Sequence, residues 1–578
     1  MAESRPAADE VAEAPALPAA PGVHPVDKRG LALILDPLLN KGTCFTEEER
    51  DLFGLHGLLP PGISTPEQQE ERSYGNYVRA GGDILRYLYL QTLRDRNETL
   101  FFRLLVHHLE EMAPIVYTPT VGTVCEQFSQ LYRQTRGLYV SAKDRGRIAH
   151  VLRNLPGDDY RVLVVTDNEA VLGLGDLGVG GMGISIGKLA LYTAGAGLHP
   201  ALTLPVTLDV GTNNKRLLED PIYLGMRHPR LRGEEYDSLL DELVDAVAGV
   251  FPRALVQWED FASANAFRVY DRHRRRILSF NDDIQGTACV FVAGVRAALA
   301  QVGRRLEDER VVFYGAGAAG GGSAIAIKRA MAAAGVAEIE IHRRVLCLDS
   351  RGLILSDRPN LHAYQREFAA DPTLVADWML DRPDRIGLTD VVRNLKPTIL
   401  VGASGQPHSF TEDMVRTMLA SCARPLFFPL SNPTSRIEAE PADLIRWTNG
   451  AAVVGTGSPF APVEWNGVQH EIGQGNNALI FPGLGLGAVA VAARELPDVA
   501  FLAASQALFE FTGKSRAQGT SIYPPLTRLR EVSFAVACAV GKALIESGVA
   551  PSAKLAEVGE RVRAMMWEPE YPRYVQAR

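Results

Sequence analysis

Residues 310–335 read RVVFYGAGAAGGGSAIAIKRAMAAAG: an apolar strand from Arg310 to Tyr314, a glycine turn, and an Ala-rich helix from Gly321 to Ala334. In the turn Gly315-Ala-Gly317-Ala318-Ala-Gly320, the first glycine permits a tight bend. The second lets backbone approach a pyrophosphate, and the third lets the helix pack closely on its strand. Phosphates would then rest on unpaired N–H groups at the positive end of a helix. Ala/Gly-rich sequence can match G-x-G-x-x-G by chance, so it is the strand–turn–helix context that makes this a dinucleotide site. The next apolar run, in RRVLCLDSRG, ends at Asp349, which can hydrogen-bond a ribose. It lies further on than the roughly twenty residues of the simplest motif, so the crossover is longer. Ser350 and Arg351 follow, a hydroxyl and a guanidinium able to hold the 2′-phosphate of NADP. The same residues also read as a solvated turn.

Working outward, PTILVGASG, RPLFFPLSNPTS and AAVVGTGSP are further apolar runs, each ending in Gly, Asn or Pro. Upstream, RVLVVTD, LPVTLDVGTNN and ALVQWEDF repeat the theme, separated by helical stretches at Ile184–Ala196 and Tyr236–Phe251. Strands alternating with helices predict parallel sheets covered by helices. The expected fold is α/β and multidomain. A doubly wound, Rossmann-like NAD(P)-binding domain spans 280–478 and a second α/β domain, for substrate and metal, spans 137–279. A helical N-terminal domain covers 28–136, with Ile84–Met112 helical and broken at Pro114. A helical C-terminal segment, 479–578, packs on the substrate domain. Residues 1–27, rich in Ala, Pro and Glu, read as a disordered tail. There is no internal repeat.

Composition excludes several classes. The 578 residues are 46% hydrophobic and 22% charged, ordinary for a globular protein, and the net charge of -8 argues against nucleic acid as a partner. The six cysteines are widely scattered, which disfavours a disulfide framework or zinc knuckle and suits a reducing compartment. The N-terminus lacks the features of a secretory signal or transit peptide, and the longest apolar stretches, around Ala288–Ala300 and Gly483–Ala493, fall short of a membrane span. The expectation is a soluble, cytoplasmic protein with no membrane contact.

Two acidic pairs end apolar runs: Glu259-Asp260 and Asp282-Asp283. Hard cations such as Mg²⁺ take oxygen ligands. Successive strand residues point to opposite faces, so Glu259 and Asp260 can share an ion only where the strand has ended. Taken singly, such pairs also read as polar loops or helix caps. The Gly-rich segment 173–183 leads into Ile184-Ser-Ile-Gly-Lys188-Leu189. A phosphate-binding P-loop is excluded: its first Gly falls on Met182, and Leu189 replaces the Ser or Thr that would hold magnesium. Lys188 has apolar neighbours, which would lower its proton affinity and suit a general base. A snorkelling surface lysine is the bland alternative.

In this order, LNKGTCFT, HGLLPP, PIVYTPTVG, VVTD, GLGDLGVGGMGISIGKLALYTA, LDVGTNN, WEDF, FNDDIQGTA, GAGAAG, SNPTS, GTGSPF and GQGNNALIFPG resemble the malic enzymes from about Arg29 to Tyr574. The resemblance implies oxidative decarboxylation of malate to pyruvate with NAD or NADP and Mg²⁺ or Mn²⁺. It implies that Lys188 is the general base, that Tyr117 is the acid, and that Glu259, Asp260 and Asp283 are the metal ligands, Asp283 also counting with the catalytic set. Asp282 lies beside the site. It places Asn432 on both the cofactor and the substrate side, with Asn476 and Asn477 on malate carboxylates, and implies a homodimer or homotetramer.

One departure stands out. Where malic enzymes usually carry an Arg on the substrate carboxylate, in a segment like ERILGLGD, this chain has Glu169-Ala170-Val171-Leu172-Gly173. Malolactic enzymes, which convert malate to lactate with bound NAD, also lack that Arg and share the Trp of WEDF. GTGSPF and GGMGISIGKL look more like the oxidative family. A catalytically inactive nucleotide-binding scaffold is the alternative from another class.

Overall fold

The computed structural model describes residues 22–382, 384–515, 521–551 and 554–577. Most of the expected tail, residues 1–21, lies outside the described residues. Its last part does not read as disordered: Val23–Val26 is a strand, paired in parallel with Arg573–Gln576 at the other end of the chain. Sequence could not foresee this, because the partner is more than five hundred residues away.

Two parallel sheets form the frame. The first has five strands in the spatial order Leu138–Ser141, Thr203–Asp209, Val162–Thr166, Leu255–Glu259, Ser279–Asn281, all parallel. From Val162–Thr166 the chain moves to one side, then returns to the other at Leu255–Glu259. A crevice therefore opens between the carboxyl ends of those two strands, where ligands bind in open α/β sheets. The second sheet has seven strands: Gly473–Gln474, Val453–Thr456, Leu426–Pro429, Ile399–Gly402, Val311–Tyr314, Val345–Asp349, Gly352–Leu353. Only the last pairs antiparallel. Its reversal of order falls between Val311–Tyr314 and Ile399–Gly402, just below the glycine turn. Both sheets thus have a doubly wound order, which the sequence reading expected only for the cofactor domain, and both crevices line one cleft.

Helices supply the walls. Every residue of Met182–Ala196 is buried, as an almost wholly apolar helix must be. Phe481–Ala490 and Leu529–Glu546 pack on it, and Asp498–Ser515 packs on Thr287–Val302. Asp282–Val302 is long and apolar enough to cross a membrane by length and composition, beyond what the sequence run suggested. However, 72% of its most apolar window is buried inside the protein, so it is a core helix. All six cysteines are unpaired.

In the N-terminal region the expected helix Ile84–Met112 is three helices, Asp83–Arg96, Glu98–His107 and Leu109–Val116. The break falls at Asn97, whose side chain caps the N–H of Leu100. Pro114 lies inside the third helix and does not end it.

The joined chain ends are pinned by Lys41. Its ammonium donates to Glu49 Oε1 at 2.5 Å and to the Pro572 carbonyl, and lies 3.8 Å from the centroid of the Tyr574 ring. The Tyr574 N–H donates to the same Glu49 oxygen at 2.9 Å. Lys41→Met leaves a buried carboxylate without its cation. The expected cost is about 3–5 kcal/mol, seen as a lower Tm; an unchanged Tm would mean that water replaces the ammonium.

Candidate active site

The lysine helix reaches the seam because its preceding loop is tethered. Asp176, in the Gly-rich segment, accepts from Arg230 Nε at 2.8 Å and Nη2 at 2.9 Å, from Thr212 Oγ1 at 2.8 Å and from the Asn213 N–H at 2.8 Å. Arg230 also donates to the Asp167 carbonyl at 2.8 Å, binding the loop to the end of its strand. The Asp167 carboxylate accepts from the Tyr236 hydroxyl at 2.6 Å. Burial pushes its pKa up to about 6 against the pull of Arg230. Sequence reading missed Arg230, because an isolated arginine 54 residues from its partner leaves no local signal.

Gly187 sits where the helix presses on Tyr117: a Cβ there would lie 2.8 Å from the Val116 carbonyl and 3.0 Å from the Tyr117 ring. The close approach brings the next residue, Lys188, to 5.6 Å from the Tyr117 ring centroid and 4.6 Å from that of Phe481. Lys188 is 1% exposed, and its apolar sequence neighbours mislead. The ammonium is paired with Asp282 and lies 2.9 Å from Glu259 Oε1. Burial lowers its proton affinity, but Asp282, Glu259, Tyr117 and Asp283 outweigh it, and the pKa stands well above the usual lysine value. The expected depression is therefore corrected: carboxylates from elements far away in sequence face this amine. Burial keeps the Tyr117 phenol protonated, with a raised pKa.

Glu259 is the last residue of its strand, and Asp260 has φ +59°, so the chain turns between them and both carboxylates reach the same side. Asp283 follows the three-residue strand Ser279–Asn281, and its Oδ2 accepts from the Asp260 N–H at 2.8 Å. One ligand oxygen from each of Glu259, Asp260 and Asp283 lies within 4.8 Å of the others. Burial raises the Glu259 and Asp260 pKa values well above the carboxylate range; neighbouring carboxylates add to this, and Lys188 opposes it. Asp283 is raised to about 6, chiefly by burial. Asp260 Oδ2 and Asp282 Oδ1 are buried without a hydrogen-bond partner. Clustered carboxylates with an unmatched oxygen fit a hard divalent cation.

Across the seam, Gly315 has φ +110°, and a Cβ on Gly320 would lie 1.9 Å from the Gly315 carbonyl. Both glycines are required by the turn. The N-cap of helix Ala318–Ala333 is Gly317, which has no side chain to cap it, and the Ala318 N–H donates instead to Ser263 Oγ of the other domain at 3.0 Å. Gly320→Ala is expected to raise the KM for NAD about tenfold or more while sparing that for malate, since backbone cannot yield to a methyl group at that distance. Equal changes in both constants would point to global distortion instead.

A cleft of about 590 Å³ at the seam is lined by Tyr117, Lys188, Glu259, Asp260, Asp283, Ala170, Gly317, Ala318, Asn432, Asn476 and Asn477. The candidate acids, amine, phenol and substrate asparagines therefore meet in one cleft, with Gly317, Ala318 and Asn432 of the cofactor set. Asn432 accepts from the Ser458 hydroxyl. Asn476 caps the Ala478 N–H at 2.9 Å, and the Asn477 amide donates to Asp282 Oδ2 at 3.0 Å and Thr287 Oγ1 at 2.9 Å. An adjoining cleft of about 520 Å³ holds Gly315, Asp349, Ser350, Tyr364 and Arg385. Asp349 accepts from Arg358 Nη1 at 2.6 Å and from the Arg351 N–H at 2.8 Å. The Arg351 side chain lines neither cleft and is 56% exposed.

A glycine-turn dinucleotide fold facing buried carboxylates and a lysine across a domain seam defines a dinucleotide-dependent oxidoreductase. Residues 94–274 match the family description "Malic enzyme, N-terminal domain", and residues 284–545 match "Malic enzyme, NAD binding domain". The chain is 46% identical over 553 residues to the NAD-dependent malic enzyme of Acinetobacter baylyi, covering 95% of this chain and 98% of that one. It is 48% identical over 545 residues to the NAD-dependent malic enzyme of Aeromonas hydrophila, covering 94% and 96%. The solved malic enzyme of Entamoeba histolytica superposes with a TM-score of 0.56 at 21% identity, over 89% of this chain and 91% of that one. This chain belongs to the malic enzyme family.

Proposed function

We propose that the protein oxidises (S)-malate with NAD as acceptor and releases pyruvate and CO₂, with Mg²⁺ or Mn²⁺ held by Glu259, Asp260 and Asp283. The observation that carries this reading is the contact of the Lys188 ammonium with Glu259 and Asp282, beside Tyr117 and opposite the glycine turn. Bound NAD would supply the hydride acceptor, and a cation held by Glu259, Asp260 and Asp283 would supply Lewis-acid polarisation of the substrate oxygen and offset the carboxylate charge that keeps Lys188 protonated. In the neutral form that neutralisation of those carboxylates would favour, Lys188 receives the proton of the malate hydroxyl and becomes the ammonium. Tyr117 returns a proton to carbon 3 after CO₂ has left, and the ammonium of Lys188 can restore that proton to the phenol. The two groups then titrate as a pair. Asp282 and Asn477 orient the amine.

For the cofactor, an acidic residue at the end of the second strand suits a ribose hydroxyl more than a phosphate, which favours NAD over NADP. The names of the two relatives agree with that preference. A soluble cytoplasmic homo-oligomer, without nucleic-acid or membrane partners, completes the proposal.

The test is an ultraviolet assay with malate, Mn²⁺ and either dinucleotide. NADH and pyruvate should rise together. Lactate without NADH would replace this reading with the malolactic one, and no product at all would favour an inactive scaffold.

A further inference from the structure

We propose that Arg436 holds the malate carboxylate that is retained in pyruvate, taking the place of the arginine that this chain lacks at Ala170. The inference rests on the functional reading above.

The cleft that receives a dianion is itself acidic. Glu169, Glu259, Asp260 and Asp283 line it, against two Lys or Arg side chains, Lys188 and Arg436. Lys188 is already taken up by Asp282 and Glu259. Arg436 is exposed, and its guanidinium makes no hydrogen bond or ion pair among the described residues; only its backbone N–H is engaged, donating to the Pro433 carbonyl at 2.8 Å. Glu169, the acidic neighbour of Ala170, is occupied by Arg232 and by Asn265 Nδ2 at 3.2 Å.

Placement adds a second reason. Arg436 ends the one-turn helix Thr434–Arg436, directly after Asn432 and Pro433. That loop lies against the segment carrying Ala170: a Cβ on Gly173 would fall 2.4 Å from the Asn432 carbonyl and 3.2 Å from Pro433 Cδ. Arg436 of the cofactor domain therefore lines the same cleft as Ala170, where the substrate domain offers only a methyl group. Arginine suits the task because its planar fork meets a carboxylate with two parallel hydrogen bonds.

Chemistry selects which carboxylate. A cation on the group that departs as CO₂ would stabilise it as an anion and oppose its loss. On the carboxylate beside the hydroxyl, the same cation binds substrate and product alike. It also explains how a chain with Ala170 retains a charged grip on a dicarboxylate.

Arg436→Gln and Arg436→Lys test this by calorimetric titration with L-malate and with pyruvate, in the presence of Mn²⁺ and NADH, alongside steady-state kinetics. Arg436→Gln should weaken both malate and pyruvate by about 10–100-fold, as for a lost charge-assisted contact. The KM for NAD should stay within about twofold, and Arg436→Lys should recover part of the loss. Unchanged malate binding, or a KM for NAD that rises as much as that for malate, would overturn the assignment; the latter would put the guanidinium on the dinucleotide. Weakened malate with unchanged pyruvate would move it to the departing carboxylate and also overturn the proposal. A wild-type protein that binds both acids but reduces no NAD would sink the functional reading while leaving Arg436 judged by the titrations.

Discussion

Lys188→Ala is expected to lower kcat by about 10²–10⁴-fold, the usual worth of a positioned general base, with NAD binding intact. Truncation alone would be ambiguous, because it also leaves Glu259 and Asp282 buried without their cation. Lys188→Arg resolves this. A guanidinium keeps the positive charge beside both carboxylates, yet it does not give up a proton at any working pH. Both variants should therefore be inactive, with Lys188→Arg folding at least as stably as Lys188→Ala. Substantial turnover by Lys188→Arg would show that the charge, and not proton transfer, is what the reaction needs, and the base would have to be sought elsewhere. Single-turnover kinetics with malate give the chemical step, and fluorescence titration with NADH gives the binding.

The second large effect concerns the carboxylate cluster. Mn²⁺ is expected to raise Tm strongly near pH 7.5 and little near pH 5. The Asp283 carboxyl is raised from 3.8 to about 6 in the folded protein, so folding favours its protonated form. Stability from that form is complete below about pH 4 and is lost as pH rises through about 6. Glu259 and Asp260 shift in the same direction. A divalent cation binds the ionised form and reverses the penalty. Each proton it displaces makes its affinity rise about tenfold per pH unit below the carboxyl's pKa. At a hundredfold excess over Kd the cation adds about 2.7 kcal/mol. Proton release on Mn²⁺ binding, measured by calorimetry in two buffers of different ionisation enthalpy, checks the sign directly. A Tm shift independent of pH, or none with Asp283→Asn and wild type alike, would remove the cation from these three side chains.

The local readings that held share one property: the physics they used is short-range. Strand, turn and helix around Gly315–Gly320 follow from adjacent residues, because glycine conformation and apolar periodicity are properties of a few neighbours. The same holds for the turn at Asp260, whose positive φ was the condition for Glu259 and Asp260 to share an ion. The readings that failed depended on distant partners. Lys188 looks apolar along its helix, but Asp282 faces it from 94 residues away. Val23–Val26 looked like unstructured tail because its partner strand is the other end of the chain. Pro114 looked like a helix breaker, but the chain breaks earlier, at the Asn97 cap, and turns at Tyr117. Arg436 carried a faint signal, a lone arginine directly after SNPTS, which gains meaning only once it and Ala170 line one cleft.

Sequence alone determined the α/β class, the dinucleotide turn and the family, and it singled out the acids and the amine as candidates. All of these are written in local pattern or in motif order. Tertiary structure decided the rest: that Asp282 and Glu259 face the Lys188 amine, that three carboxylates converge at the end of one sheet, and that Arg436 of the cofactor domain lines the same cleft as Ala170. Charge states and converging ligands depend on distances through space, and those exist only once two sheets have closed on a common seam.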